Sequence, residues 1–312
     1  MKLKRTTSYN IILGLLIIVL CTAIALVNSV FISPKNITNV FQQISVLGVV
    51  TAGMCMVILS GGIDLSVGSQ ISTVGSAVAA MIAAQVPVWA ALLLGLLIGI
   101  CCGALNGTLI AFTRAEPFII TLGMMSFYRG FALILTKGMT ISVKNSYDWL
   151  GRGTLGDIPV PVIVFVLIAA LMFILLKYTS FGRVVYTIGG NPNAAYLSGI
   201  KVRGYKLLIY TLNSAIVALA ALVLLSRLGA TSSSMGDGFE MRSIAAAVMG
   251  GVVLSGGRGN LVGGMLGVLL LGMISNALNI LNVPTFFQDV ALGGIIVLAV
   301  LLSKVELKRR SA

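Results

Sequence analysis

The sequence predicts an all-α integral membrane protein with about ten transmembrane helices and with both termini in the cytoplasm. Hydrophobic residues make up 58% of the 312-residue chain and charged residues only 9%, whereas about a quarter of the residues in a soluble domain are charged. Uncharged apolar runs of the length needed to cross a bilayer recur along the whole chain. Basic residues cluster at the ends of these runs. The net charge of +13 therefore indicates a lipid bilayer, and not nucleic acid, as the partner of the chain.

The first apolar run, Tyr9 to Ile32, has 24 uncharged residues and would be about 36 Å long as a helix. It follows three basic residues, as a signal peptide would. It is longer than the apolar core of a signal peptide, however, and no small-residue cleavage site stands out before Pro34. We therefore interpret it as a retained first span. The ten candidate spans are 9–31, 40–59, 67–86, 88–112, 117–136, 160–177, 207–227, 240–255, 261–282 and 286–303.

The distribution of basic residues predicts the orientation of these spans. With the N-terminus in the cytoplasm, the inner segments hold 14 Lys and Arg residues and the outer segments hold 6, in agreement with the positive-inside rule. The chain then forms one transmembrane domain, 1–312, with short cytoplasmic tails at 1–8 and 304–312.

The eighth span is the weakest of the ten. Ser243 to Gly257 has only 15 uncharged residues, many of them Gly and Ala, so a short or re-entrant element is an alternative to a full span. Without a crossing at this point, however, the basic residues after Ser303 would lie outside the cell. The charge distribution therefore favours a crossing.

The segment 59–69, LSGGIDLSVGS, separates two long uncharged runs. Its acid, Asp64, would cost about 2.5–3.5 kcal/mol at the centre of a transmembrane helix. We therefore expect Asp64 at the water interface or facing a polar cavity. Its glycines allow a tight turn or the close approach of another helix. This membrane motif consists of Gly61, Gly62, Asp64, Ser66 and Gly68.

Residues 254–263, LSGGRGNLVG, match residues 59–68 at six of ten positions. Internal duplication is common in transporters, but chance similarity explains the match equally well in a chain so rich in Gly, Leu, Ser and Val. Both interpretations stay open.

Several kinds of chemistry are excluded by what the sequence lacks. It has no histidine, the commonest metal ligand and the usual general base near neutral pH. Its four cysteines lie inside apolar runs without the spacing of a zinc site. The string LSGGR at 254–258 resembles a nucleotide-contacting signature of ATPases, but the chain contains no Gly-Lys dipeptide for a phosphate loop. We therefore predict no catalytic residue, no metal and no cofactor.

Polar residues inside the apolar runs are candidates for the lining of a solute pathway: Asn106, Arg129, Asn276 and Asn279. Asn213 also lies inside such a run. For any single Asn, hydrogen bonding between helices is the favoured alternative, and for Arg129 we favour a structural or gating ion pair over direct solute contact. Glycines at four-residue spacing, such as Gly95 and Gly99, indicate closely packed helices.

The predicted inner loop 178–206 contains signals for a short capped helix. Asn191 would cap the helix, Pro192 would begin its first turn, and Gly199 would end it. Such a helix is suited to docking in the groove of another protein, although an ordinary solvated loop is an equal alternative.

At these segments the sequence resembles the permease subunits of bacterial ATP-binding cassette sugar importers, the ribose, xylose and galactofuranose group, and autoinducer-2 permeases. The resemblance extends in one register from about residue 36 to 303. It rests on SGGIDLSVGS at 60–69, GALNGTLIA at 103–111, PFIITLGMM at 117–125, YRGFALILTKG at 128–138, FGRVVYTIGGNPNAAYLSGI at 181–200, VLSGGRGNLVGGMLG at 253–267 and NALNILNV at 276–283.

The resemblance implies a bacterial inner-membrane protein that transports a monosaccharide and is not itself an enzyme. Its partners would be a second, identical or related, permease subunit, two cytoplasmic ATPase subunits and an extracytoplasmic sugar-binding protein. The outer basic residues Lys137, Lys144 and Arg152 could pair with acids of that binding protein. The coupling segment that docks on the ATPase would comprise Gly189, Gly190, Asn191, Asn193, Ala194, Ala195, Ser198 and Gly199.

Two other functions are compatible with the composition. A stand-alone ion-coupled secondary transporter would need a titratable group inside the membrane, and the sequence offers only Asp64 and Asp289 as credible acids. A structural membrane scaffold is disfavoured by the distributed polar residues and glycine-rich breaks.

Overall fold

The computed structural model describes residues 2–113, 115–144, 146–284, 287, 288, 290, 293 and 294. Four strands of two residues each occur there, and they form the antiparallel pairs β1–β4 and β2–β3. They are β1 Ile141–Ser142, β2 Thr154–Leu155, β3 Ile158–Pro159 and β4 Ala230–Thr231. The helices of this part of the chain are α1 Lys2–Val27, α2 Pro34–Leu59, α3 Val67–Ala83, α4 Val88–Phe112, α5 Pro117–Thr136, α6 Trp149–Arg152, α7 Val160–Tyr178, α8 Ser180–Gly190, α9 Pro192–Leu197, α10 Val202–Leu228, α11 Phe239–Met249 and α12 Leu261–Ile280, with a 3₁₀ turn at Ser29–Ile32.

Seven of the described helices are long and apolar enough to cross a membrane: α1, α2, α4, α5, α7, α10 and α12. A shorter apolar helix, α3, accompanies them. The protein is therefore all-α in its main architecture and polytopic. Of the ten spans that the sequence predicts, 240–255 corresponds only to the 11-residue helix α11, and most of 286–303 lies outside the described residues.

Helices α2 and α10 form the centre of the bundle. In the most apolar stretch of α2, 83% of the residues are buried, compared with 11% in α1 and 17% in α5. The buried residues of α2 and α10 belong to the same large apolar cluster. The outer helices consequently leave apolar side chains exposed, as expected for surfaces that contact lipid.

Helix α4 packs closely on α10 through a row of glycines, of which Gly103 and Gly107 come closest to the α10 backbone. A β-carbon added to Gly103 would lie 2.6 Å from Tyr210 O, and one added to Gly107 would lie 2.7 Å from Leu207 O. Any side chain here would therefore collide with backbone. The four-residue glycine spacing thus predicted a close helix contact correctly, because small residues let two helix backbones approach.

The bundle has two ends, which we name the α9 end and the β1 end after the elements that lie there. At the α9 end, Tyr9 near the start of α1 donates from its hydroxyl to Met249 O at the end of α11, at 2.8 Å. Gly257 N, just before α12, donates to Leu59 O at the end of α2, at 2.9 Å. At the β1 end, β1 follows α5 and pairs with β4, which follows α10.

The chain crosses the bundle between α10 and α12 in two unlike parts. From β4, residues 232–238 run inward as a series of turns, and Gly236 packs against Gly68 in the first turn of α3. Helix α11 then continues to the α9 end. Its 11 residues span about 16 Å, roughly half of a 30 Å hydrocarbon layer. The chain thus passes from the β1 end to the α9 end over residues 232–249, which we call the broken crossing, and only its second part, α11, is helical.

The segment between α2 and α3, residues 60–66, which we call the break, turns back into the bundle along α10. Lys206 Nζ donates to Ser60 O at 3.0 Å, and Asn213 Nδ2 donates to Asp64 Oδ2 at 3.0 Å. The two α10 residues are seven positions apart, about 10 Å along the helix. Helix α3 therefore begins inside the bundle, which explains why 17 residues suffice for it to reach the other end.

Candidate functional site

The carboxylate of Asp64 is completely enclosed by the protein. Its Oδ1 accepts hydrogen bonds from the backbone N–H of Ser66 at 3.0 Å and from Ser66 Oγ at 2.6 Å, and its Oδ2 accepts from Asn213 Nδ2 at 3.0 Å. The expectation that Asp64 lies at the water interface or faces a polar cavity was therefore wrong. Three protein donors replace water around the carboxylate, and this is how a buried polar group is normally accommodated.

The hydrogen bonds continue from Ser66 to two further helices. Ser66 Oγ accepts from Gln70 Nε2 and from Asn106 Nδ2, both at 2.8 Å. The hydroxyl of Tyr128 donates to Asn106 Oδ1 at 2.9 Å. All of these residues are buried. We call Asp64, Ser66, Gln70, Asn106, Tyr128 and Asn213 the polar network; it links α3, α4, α5 and α10 to the break.

Within this network Asn106 is fully buried and bonds helices to one another. Sequence reasoning did not select Gln70 or Tyr128. A signal for Gln70 was present, since it lies four residues after Ser66 and hence on the same helix face. Nothing local connects Tyr128 with Asn106, because the two residues lie on different helices.

Each glycine of the membrane motif meets a different neighbour. Gly61 has a φ of +75°, in the left-handed region that only glycine adopts without strain. A β-carbon on Gly62 would overlap the hydroxyl of Tyr210, and one on Gly68 would overlap Gly236 O and the carboxylate of Glu240. The glycines of the motif therefore let the break pack against α10 and let α3 pack against the segment before α11.

The two LSGG copies of the sequence lie in contact at the α9 end. A β-carbon on Gly256 would lie 2.7 Å from Gly61 Cα and 2.8 Å from Gly189 O, and one on Gly257 would lie 2.7 Å from Gly190 Cα. The corresponding residues Gly61 and Gly256 share a left-handed conformation, with φ of +75° and +83°. We call Gly61, Gly189, Gly256 and Gly257 the glycine junction; it joins the ends of α2 and α8 to the turn before α12.

Tyr186 of α8 adds a side-chain bond next to the glycine junction. Its hydroxyl donates to Gly259 O at 3.2 Å. Burial, with a smaller effect of the nearby Cys55 thiol, raises the pKa of Tyr186 to about 12. The hydroxyl therefore keeps its proton, and its capacity to donate, at any physiological pH.

The capped helix predicted after the junction is present as α9. Asn191 Oδ1 accepts from the backbone N–H of Ala194 at 3.0 Å, Pro192 is the first helical residue, and Gly199 follows with a φ of +83°. Ala195 is fully buried. The predicted coupling residues divide into two groups: Gly189 and Ala195 are buried, and Gly190, Asn191, Asn193, Ala194, Ser198 and Gly199 are exposed.

Helix α9 also exposes two large side chains that sequence reasoning did not select. Tyr196 is 71% exposed and Leu197 is 84% exposed. Both precede Ser198 at the end of the helix. An exposed aromatic and aliphatic pair on a short capped helix forms a compact surface of the kind that another protein's groove can cover.

Arg129 lies in the second half of α5 and forms an ion pair with Asp237. Its guanidinium also donates to Ser233 O and, at 3.3 Å, to Ser72 Oγ. An ion pair was the favoured interpretation of Arg129, but its partner was not predicted because 237 was assigned to an outer loop. Asp64 and Asp289 were the only credible acids inside the membrane in the sequence analysis. The structure adds Asp237 and Glu240, which lie within the broken crossing. Asp289 itself is outside the described residues.

The other two pathway candidates lie elsewhere, towards the β1 end. Asn276 and Asn36 exchange two side-chain hydrogen bonds, each of 2.9 Å, between α12 and α2. Asn279 is exposed and accepts from Gln288 Nε2 at 2.9 Å. The structure of one subunit thus does not bring the four pathway candidates together. Among the described residues no cluster of His, Cys, Asp or Glu could hold a metal ion.

Comparisons with known proteins identify the family of this chain. The family described as "Branched-chain amino acid transport system / permease component" matches residues 36–301. The ribose import permease protein of Bacillus subtilis (strain 168) is 43% identical over 295 residues, which cover 94% of this chain and 91% of that protein. The D-allose transport system permease protein of Escherichia coli (strain K12) is 37% identical over 277 residues, covering 88% and 85%.

Further relatives give the same result. The ribose import permease protein of Escherichia coli (strain K12) is 34% identical over 294 residues, covering 92% of each chain. No solved structure gives a significant match. The resemblance to importer permeases that the sequence motifs indicated is thereby confirmed. The chain belongs to this family of transport-system permease components and is a multi-pass membrane subunit that transports and does not catalyse.

Proposed function

We propose that this chain is a membrane subunit of an ATP-binding cassette importer that carries a neutral monosaccharide, with ribose as the first candidate. The 43% identity with a ribose import permease over nearly the whole of both chains carries this proposal. Related permeases named for D-allose and xylose support the same class of solute. An importer permease of this kind works with an ATPase and with a binding protein that delivers the solute.

The α9 end is the cytoplasmic end in this proposal. Described basic residues that lie near it include Arg183, Lys201, Arg203, Lys206 and Arg258, and the positive-inside rule favours this side for such residues. The bundle as a whole then has about ten crossings, with a second permease subunit, identical or related, completing the pathway. Two ATPase subunits dock from the cytoplasm, and the binding protein docks at the β1 end.

Helix α9 is the proposed docking element for the ATPase. Its exposed surface around Tyr196 and Leu197 provides the contact, while the buried Ala195 and the Asn191 cap hold the helix in place. Movement of α9 passes to Gly189, which leaves no space for a β-carbon against Leu59 O. The glycine junction then transmits this movement to the break after α2 and to the turn before α12. The membrane helices consequently switch the pathway between inward-facing and outward-facing access.

A co-purification experiment tests the docking proposal. Leu197→Glu should abolish recovery of the ATPase subunit with the detergent-solubilised permease, because it places a charge in an apolar contact. The matched control is Leu155→Glu, the same change at an exposed leucine of the opposite end. Equal recovery of the ATPase with both variants would contradict docking through α9, provided both are inserted in the membrane at wild-type levels.

Reconstitution tests the transport proposal against the ion-coupled alternative. Proteoliposomes containing the permease, the ATPase and the binding protein should accumulate ribose only when ATP reaches the ATPase. Leucine serves as the competing solute, because the family description names branched-chain amino acids. Uptake driven by a proton or sodium gradient without the ATPase would overturn the proposal in favour of a secondary transporter.

The binding protein is proposed to contact the basic residues of the β1 end. Lys144 and Arg152 both lie close to Gly229, where their side chains would contact an added β-carbon at 3.1 Å. Acids of the binding protein could pair with this surface, together with Lys137, and steer docking. Charge reversal at Lys144 and Arg152 should weaken stimulation of ATP hydrolysis by the loaded binding protein; unchanged stimulation would contradict this contact.

A further inference from the structure

The turns before α11 lie at membrane depth, although they are not helical. Gly236 N donates to Ser72 Oγ at 3.3 Å, and Ser72 lies 11 residues before the end of α3, about 16 Å from that end of the helix. Arg129 lies seven residues before the end of α5, about 10 Å from that end of its own helix. Both distances fall inside a hydrocarbon layer of about 30 Å. Asp237, which contacts Arg129, is therefore at that depth too.

This segment does not face lipid. Non-helical backbone is tolerated at membrane depth only where it is buried in protein or lines a water-filled space. Residues 232–238 are partly exposed in the single subunit, and the side chain of Asp237 is 57% exposed. A carboxylate in hydrocarbon would be strongly unfavourable. The exposed side of the segment consequently faces the interior of the assembled transporter.

The chemistry of the exposed carboxylate suits a polyhydroxylated solute. An ionised Asp is purely an acceptor and can take hydrogen bonds from two hydroxyl groups, and bonds to an ionised acceptor are stronger than neutral ones. The pair with Arg129 is electrically neutral as a whole, so it can meet an uncharged sugar without adding net charge to the pathway. Arg129 is itself fixed by Ser72 and Ser233, which holds the carboxylate in one place.

The neighbouring acid is differently placed. Glu240 Oε1 accepts from the backbone N–H of Gly238 at 3.3 Å, and its carboxylate packs against Gly68. The Glu240 carboxylate is therefore enclosed between α3 and α11, whereas Asp237 offers its carboxylate outward.

We propose that Asp237, positioned by Arg129, is a contact for solute hydroxyl groups inside the translocation pathway. This inference rests on the proposed function of sugar import. Asp237 is the solute contact, and Arg129 is a positioning residue. The broken crossing is thus the place where the subunit presents a carboxylate to the solute.

Thiol accessibility tests the location of Asp237. In a functional background whose four native cysteines are replaced, Asp237→Cys should react with a charged, membrane-impermeant methanethiosulfonate reagent, and ribose carried by the reconstituted complex should slow that reaction at least about threefold. The control is Phe127→Cys, an exposed position of α5 two residues before Arg129, which should face lipid and stay unreactive. An unreactive thiol at 237, or one that ribose does not protect, would overturn the proposal.

Transport measurements test the chemistry. Asp237→Asn should lower ribose uptake at least about tenfold, the effect of losing a charged acceptor, whereas Asp237→Glu should retain more of it. Stimulation of ATP hydrolysis by the loaded binding protein should persist in both variants. Wild-type uptake by Asp237→Asn would overturn the inference. Loss of ribose uptake by the wild-type complex itself would instead contradict the proposed function.

Discussion

Asn213, in the middle of α10, donates from its side-chain amide to Asp64 Oδ2 at 3.0 Å, although the two residues are 149 positions apart in the chain. Both are fully buried. This bond holds the break between α2 and α3 against the central helix of the bundle. It also makes an acid acceptable at a depth where an unpaired carboxylate would be strongly unfavourable.

Removing the amide of Asn213 should destabilise the fold. Asn213→Ala leaves one oxygen of the buried Asp64 carboxylate without its donor, and we expect a loss of about 1–3 kcal/mol. The measurement is thermal unfolding of the detergent-solubilised protein. Asn193→Ala is the control because Asn193 is exposed, and it should leave the midpoint close to that of the wild type. Equal midpoints for the two variants would show that the Asp64–Asn213 bond contributes nothing.

Neighbouring glycines at the end of α8 should respond differently to the same substitution. A β-carbon at Gly189 would overlap Leu59 O and lie 2.6 Å from Gly257 N, whereas nothing lies within 4 Å of one at Gly190. Gly189→Ala should therefore force the glycine junction apart and sharply reduce ATP-driven uptake, and Gly190→Ala should retain it. Uptake and membrane insertion are to be measured together in both variants. Equal uptake would argue against a tight junction at this point.

The contact between α4 and α10 gives a second pair of glycine variants. A β-carbon at Gly107 would lie 2.9 Å from Leu207 Cα, and nothing lies within 4 Å of one at Gly130. Gly107→Ala should cost about 1–3 kcal/mol through overpacking, while Gly130→Ala should be neutral or stabilise α5 by about 0.5–1 kcal/mol. Thermal unfolding in detergent distinguishes the two. A Gly107→Ala protein as stable as the wild type would mean that the helices separate at little cost.

Asn191, the N-cap of α9, should be replaceable by another residue that caps helices equally well. Asn191→Ala removes the acceptor of the Ala194 N–H bond and should destabilise the helix by about 1 kcal/mol, whereas Asn191→Asp should retain it. We expect ATPase co-purification to fall with the alanine variant and to be preserved with the aspartate variant. If both variants lose the ATPase alike, the amide of Asn191 contacts the ATPase directly, and loss of the helix cap does not explain the lost co-purification.

Features set by neighbouring residues were accessible from the sequence. The α9 helix was predicted with its cap and its end, because Asn191, Pro192 and Gly199 act on backbone within a few residues. The helix contact along α4 followed from glycine spacing for the same reason. The eighth predicted span, 240–255, was also recognised as short, but the turns at 232–238 were not placed inside the bundle, since they carry no local signal for membrane depth.

By itself, the sequence determined that this protein is a polytopic α-helical permease, because apolar run length, the positions of basic residues and local motifs depend on adjacent residues and on the bilayer. Only the tertiary structure decided where the polar groups point. It enclosed Asp64 among Ser66 and Asn213, although a position at the water interface or facing a polar cavity was expected. It also paired Arg129 with Asp237 across more than 100 residues. The partners of a buried polar group are selected by helix packing, and packing is a property of the whole bundle.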